Sequence, residues 1–141
     1  MSVFTEKELA KLTGATLARI ATVGADGQPH VVPLTYTVNE DEDAIDVGGF
    51  GFGSSKKWRD AVRNPKVTFL LDEASGGTAY GIEIRCTAEV HEDGGQHITP
   101  RFPGFDPQFL RLRPHRIISW GVEVSSTEDR SAHGRDVRTT R

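Results

Sequence analysis

The stretch from Gly81 to His91 alternates more cleanly than any other in the chain. Ile82, Ile84, Cys86, Ala88 and Val90 are apolar, while Glu83, Arg85, Thr87 and Glu89 between them are polar or charged. Successive side chains of an extended strand point to opposite faces, so this pattern predicts a long antiparallel strand with one face on a core and one in water. Such a strand needs partners, and the chain supplies them at short spacing. Val67, Phe69 and Leu71 predict a strand over Lys66–Asp72, joined to the first through Ser75-Gly76-Gly77. Ala15–Val23 and Pro29–Val38, separated by Gly24-Ala25-Asp26-Gly27, predict a hairpin, with Val32, Leu34, Tyr36 and Val38 on one face. Ala44–Val47 and Arg116–Val124 complete the set. Fifteen Gly and seven Pro suit short elements and tight turns, which favours an all-β or α+β fold over a helical bundle.

Two short helices interrupt the strands. Thr5 and Glu8 form a capping box, and Phe4 and Leu9 a hydrophobic staple, for a helix over Glu6–Thr13 that Gly14 ends. Ser54 is the expected cap of a second helix, which runs to Asn64 and stops at Pro65. Pro33 lacks an N–H, which places it at a strand edge or bulge. Glu92–Pro114 is irregular and Pro-rich, and reads as a loop with a short helix near Gln108. The segment 125–141 holds hardly any apolar residues, and reads as a polar tail, disordered or laid across a neighbouring subunit, after one domain over 1–124.

Charge and composition exclude several functions. No run approaches the roughly 18 apolar residues of a membrane span. A net charge of −3 argues against a protein built to hold nucleic acid. The lone Cys86 excludes an internal disulfide, and with an N-terminal sequence unlike a secretory signal it suits the cytoplasm. Cys86 sits on the apolar face of its strand, where a buried small residue is expected rather than a nucleophile. The five His residues show no ligand spacing, so no metal site is expected.

The chemistry concentrates in Gly48-Gly49-Phe50-Gly51-Phe52-Gly53-Ser54-Ser55-Lys56-Lys57-Trp58-Arg59, a Gly-rich connection that feeds a helix opening on two hydroxyls and two ammonium groups. Helix N–H groups, hydroxyls and Lys favour an anion, and glycines such as Gly49 allow a ligand close to the backbone. A phosphate or phosphodiester is the functional reading; a glycine turn with a solvated basic first turn is the plain one. The order Gly53-Ser54-Ser55-Lys56 does not make a Walker loop. A dinucleotide fingerprint fails because the third Gly is one position early and the later strands lack crossover helices. Lys56, Arg59 and Arg63 fall on one side of the helix, with Lys57 about 100° away. Trp58 suits a core, and Trp120 a core, a cofactor contact or an interface.

Several segments, taken in order, resemble the flavin-binding split-barrel superfamily of pyridoxamine 5'-phosphate oxidase-like proteins, and within it the actinobacterial branch of coenzyme F-420-dependent oxidoreductases. They are Leu17–Val23, Pro29–Leu34, Ser55–Asp60, Arg63–Val67, Gly81–Arg85 and Arg116–Gly121. The resemblance implies a mainly β fold, a six-stranded antiparallel split β-barrel that forms a homodimer. It also implies a cofactor groove at the subunit interface, with Ser54, Ser55, Lys56 and Lys57 at the phosphate and Val32, Pro33, Leu34 and Thr35 under the ring. Gly49, Arg59 and Trp120 are added as further contacts. The implied activity is hydride transfer between F-420, a deazaflavin, and a small organic substrate. FMN is the alternative cofactor, haem is bound by other members, and a cofactor-sequestering protein without turnover is the alternative function.

Overall fold

The computed structural model describes residues 2–98 and 103–138. Seven antiparallel strands make up one sheet: β1 (Leu17–Val23), β2 (Pro29–Asn39), β3 (Ala44–Gly48), β4 (Lys66–Ser75), β5 (Thr78–His91), β6 (Phe109–Trp120) and β7 (His133–Asp136). Their order is β3-β2-β1-β4-β5-β6-β7, and β3 also pairs with β6, which closes the first six into a barrel. The alternation that marked β5 has its expected cause: Ile82, Ile84 and Cys86 are fully buried and meet Phe69, Ile45, Leu112 and Ile117 in one core. Val90 departs from the pattern at 38% exposure, because the last β5 member of that core is Ala88. Pro33 sits on an edge, since β2 pairs with β1 there while β3 reaches only to Thr35.

The predicted sixth strand starts too late. It begins at Phe109, and Pro114 lies inside it, where the register shifts between Arg85 and Cys86 so that His115 has no opposite number on β5. A bulge of this kind accommodates a proline that an ordinary ladder would reject. No helix forms near Gln108, which leads straight into β6, while a 3-10 turn occurs earlier at Gly95–His97.

Helix α1 (Glu6–Thr13) carries both halves of its capping box, Thr5 N–H to Glu8 Oε1 at 2.9 Å and Glu8 N–H to Thr5 Oγ1 at 3.1 Å. Gly14 ends it with φ of −82°, so the left-handed freedom of glycine is not used. Tyr36 fixes the helix end to β2 by donating its hydroxyl to the Leu12 carbonyl at 2.6 Å. Helix α2 (Lys56–Arg63) stops at Asn64 before Pro65. Among the described residues no helix is long and apolar enough to cross a membrane.

The tail, expected to be disordered or to reach another subunit, lies on its own barrel. β7 pairs with β6, and Arg135 donates to both carboxylate oxygens of fully buried Glu8, at 2.6 and 2.8 Å, and to the Val3 carbonyl. Burying the Glu8 carboxylate would be costly without such a bidentate partner, a signal that polar composition alone conceals.

A second buried carboxylate sits where the barrel closes. Asp46 of β3 is fully buried and accepts from Arg111 Nε at 2.9 Å, Asn39 Nδ2 at 3.1 Å and His97 Nε2 at 2.8 Å. Burial pushes its carboxyl up, and the bonds from Arg111, His97 and Asn39 more than offset this, so it lies below the ordinary value of 3.8. A depressed carboxyl stabilises the fold above its unfolded pKa, and the contribution fades as pH falls through the folded one. Urea midpoints measured from about pH 5 to about pH 3 should therefore fall less steeply in Asp46→Asn than in the wild type. Parallel slopes would show that Asp46 does not carry this part of the acid sensitivity.

Candidate functional site

The Gly-rich connection leaves β3 at Gly48, passes Gly51 in the left-handed region (φ +60°), and makes a 3-10 turn over Phe52–Ser54. Ser55, not Ser54, caps α2, its hydroxyl accepting from Trp58 N–H at 3.3 Å. The extra turn displaces the cap by one residue, and both hydroxyls donate inward, Ser54 to the Gly51 carbonyl at 3.1 Å and Ser55 to the Phe52 carbonyl at 2.6 Å. The glycine N–H groups are also engaged. Gly51 and Gly53 donate to the Asp106 carboxylate at 3.1 and 3.0 Å.

The cations divide in a way the helical wheel does not show. Lys56 Nζ lies 3.0 Å from both oxygens of Asp60, a buried carboxylate that also accepts from Thr22 Oγ1 at 2.9 Å. Arg59 folds back and donates to the Ser54 carbonyl at 2.6 Å, and Arg63 is exposed. Lys57, the residue off the common side, is half-buried with Nζ 5.4 Å above the Phe52 ring. Burial holds its pKa below the ordinary value of 10.5.

Lys57 lines a groove of about 400 Å³ together with Pro33, Leu34, Thr35, Gly48, Gly49, Phe50 and Phe105. The fold thus brings together Pro33, Leu34, Thr35, Gly49 and Lys57 of the residues singled out in the sequence. Val32 packs on the core and does not line the groove. Ser54, Ser55, Lys56 and Arg59 flank the groove without lining it.

Trp120 is elsewhere. It ends β6, eleven residues beyond the Phe109 start, which is roughly 36 Å along a strand. Its indole packs on bare backbone, since a Cβ on Gly81 would lie 2.5 Å from its Nε1. It lines a second cavity of about 700 Å³ with Ala74, Thr78, Ser126 and Arg130.

Four groove-side residues escaped the sequence reading as site residues: Gly48, Phe50, Phe105 and Asp106. Phe50, between two glycines, was the most legible of them. Phe105 and Asp106 come from a distant loop that has no local pattern. Cys86 is fully buried and its thiol is pushed far up by burial, in keeping with a packing role. Among the described residues, no three His, Cys, Asp or Glu side chains are grouped so as to hold a metal ion.

The model of the pyridoxamine 5'-phosphate oxidase family matches residues 4–121. A curated relative, the 5a,11a-dehydrotetracycline/5a,11a-dehydrooxytetracycline reductase of Streptomyces rimosus, is 32% identical over 137 residues, covering 95% of this chain and 93% of its own. Among solved structures, an FAD-binding protein of Mesorhizobium loti superposes with a TM-score of 0.60 at 21% identity, covering 82% of this chain and 92% of that one. A heme binding protein of Mycobacterium smegmatis gives 0.66 at 13% identity, covering 96% of this chain and 60% of that one. At such identities the two structures show a shared fold. The family match extends from the turn before α1 to the end of β6 and spans the groove, and the chain belongs to the pyridoxamine 5'-phosphate oxidase-like family.

Proposed function

We propose that the protein is an oxidoreductase that transfers a hydride between coenzyme F-420 and a small organic substrate, with the cofactor in the groove between β2 and the start of α2. The observation that carries this reading is the groove itself. It sets an apolar, partly aromatic surface beside one half-buried cation, and its volume of about 400 Å³ lies in the range of small-ligand sites. Such a donor set suits a flat ring with an anionic substituent. The reductase relative supports the reaction class.

In this reading Lys57 holds the phosphate end, the Pro33–Thr35 edge carries the ring, and Gly48 and Gly49 let the ligand lie close to the backbone. The cofactor, when bound, supplies the hydride chemistry. The chain's own groups bind, orient and exclude water: Phe50 and Phe105 close the apolar side, and the ammonium of Lys57 meets the anion where desolvation strengthens the contact. Arg59 and Arg63, exposed on α2, stand where an acidic tail extending from the groove would meet positive charge.

A second reading, an FMN-type site, is favoured by one specific observation. Lys56 is engaged by Asp60, which leaves Lys57 as the groove's lysine, a match for one phosphate. The homodimer is part of the proposal as well. Leu17, Val31 and Phe50 are 62%, 59% and 64% exposed, and Leu17 and Val31 share the outer face of β1 and β2 with Pro33 and Thr35. A second subunit would cover that apolar surface and deepen the groove. Phe105 and Phe109, from the Pro-rich stretch after Glu92, need no such cover because they are buried with Ile98, while Phe102 lies outside the described residues.

Three outcomes follow. Light scattering at micromolar concentration should give twice the 15.5 kDa chain mass, and a monomer mass would remove the dimer. Lys57→Ala should weaken cofactor binding roughly tenfold or more, as loss of a charge-assisted hydrogen bond of about 1.5 to 3 kcal/mol requires. Titration of the purified protein with F-420 and FMN should show tighter binding of F-420, with the steeper loss on added salt, because more charge pairs are screened. Equal salt slopes or tighter FMN binding would favour the FMN reading, and binding of neither would overturn both.

A further inference from the structure

Asp106 is tied to the Gly-rich turn by three hydrogen bonds. Its carboxylate accepts from Gly51 and Gly53 N–H at 3.1 and 3.0 Å, and its own N–H donates to the Gly49 carbonyl at 3.0 Å. The glycines around it are there for room. A Cβ on Gly48 would lie 2.7 Å from Ile98 Cδ1, and one on Gly53 would lie 2.8 Å from Gln108 Cδ. Gly104 has φ of +118°, and a Cβ there would press on Phe50 Cε1 at 3.2 Å.

The clasped turn sends Phe52, between its two glycines, into the main core, where it is fully buried. The apolar residues beside the clasp, Ile98, Phe105 and Phe109, form a separate small cluster. The clasp also produces a wall of the groove. Phe105, the neighbour of Asp106, meets Phe50 edge to face at 4.9 Å and 81°, and both rings line the groove beside Lys57. Phe50 is 64% exposed on a turn, so its place depends on that contact and on the turn that Asp106 holds.

We propose that Asp106 is a positioning residue for this groove: by fixing the Gly51–Gly53 turn against Phe105 it sets the Phe50–Phe105 wall that selects a planar ring, while Lys57 takes the anion. The inference rests on the reading of the groove as a flavin or deazaflavin site and deepens it. A wall already in place costs no ordering when the ligand arrives, and an aromatic contact adds to simple burial. With a carboxylate in the glycine cradle, selection at this side falls to the ring rather than to a phosphate.

The test is fluorescence titration of the full chain with F-420 and FMN, using the wild type, Asp106→Asn, Asp106→Ala, Phe105→Leu and the Asp106→Ala/Phe105→Leu pair. Asp106→Ala and Phe105→Leu should each raise Kd roughly three- to tenfold. The pair should lose no more than the larger single effect, because one residue acts through the other. Asp106→Asn keeps one acceptor and should lose less than Asp106→Ala. Phe105→Leu should keep the wild-type salt dependence, since Lys57 and the charges around the groove are untouched, a feature that general loosening of the site would not preserve. Additive losses, an altered salt slope in Phe105→Leu or unchanged affinity in Asp106→Ala would overturn the positioning role while leaving the cofactor site standing. Failure of the wild type to bind either cofactor would overturn both.

Discussion

Pairing between β3 and β6 turns a curved sheet into a closed barrel, and it does so over three residue pairs, Ile45 with Leu112, Asp46 with Arg111 and Val47 with Leu110. β3 has five residues, all buried, and one of them is a carboxylate. An unpaired charge in that place would open the seam, so Arg111, Asn39 and His97 converge on Asp46 from β6, β2 and the 3-10 turn after β5. The direction in which β3 leaves the seam at Gly48 then decides where the Gly-rich turn lies. Everything in the groove follows from that exit: the turn meets Asp106, α2 swings Lys57 inward, and Phe50 reaches Phe105.

Much of this architecture was legible in the residues. Alternation identified β5, and the capping box placed α1, because both signals are local and each reflects one physical cause. Errors arose where a distant contact outweighed a local rule. Pro114 argued for a loop until a bulge opposite Cys86 made room for it within β6. The tail looked too polar to pack on its own barrel, yet what anchors it there is a polar contact, Arg135 on Glu8, in which composition and burial point in opposite directions.

The site was legible in part, for the same reason. Lys57 and Pro33–Thr35 meet in the groove because one belongs to a helix start and the others to a strand edge with a proline, both readable from sequence. The wheel grouped Lys56 with Arg59 and Arg63, but a buried Asp60 four residues on claims its charge, and nothing in spacing alone distinguishes a solvated acid from a buried one. Trp120 and the groove occupy different parts of one chain. That separation is set by strand length rather than by side-chain chemistry.

The contact between Glu8 and Arg135 spans 127 positions. During synthesis α1 emerges with its carboxylate made ready by the capping box, and the guanidinium that neutralises it follows 127 residues later. The order of translation is therefore opposed to the order in which this end of the barrel can be sealed. The nascent barrel must carry this corner unsealed until β7 has emerged, so a strand outside the closed barrel decides when the corner can close.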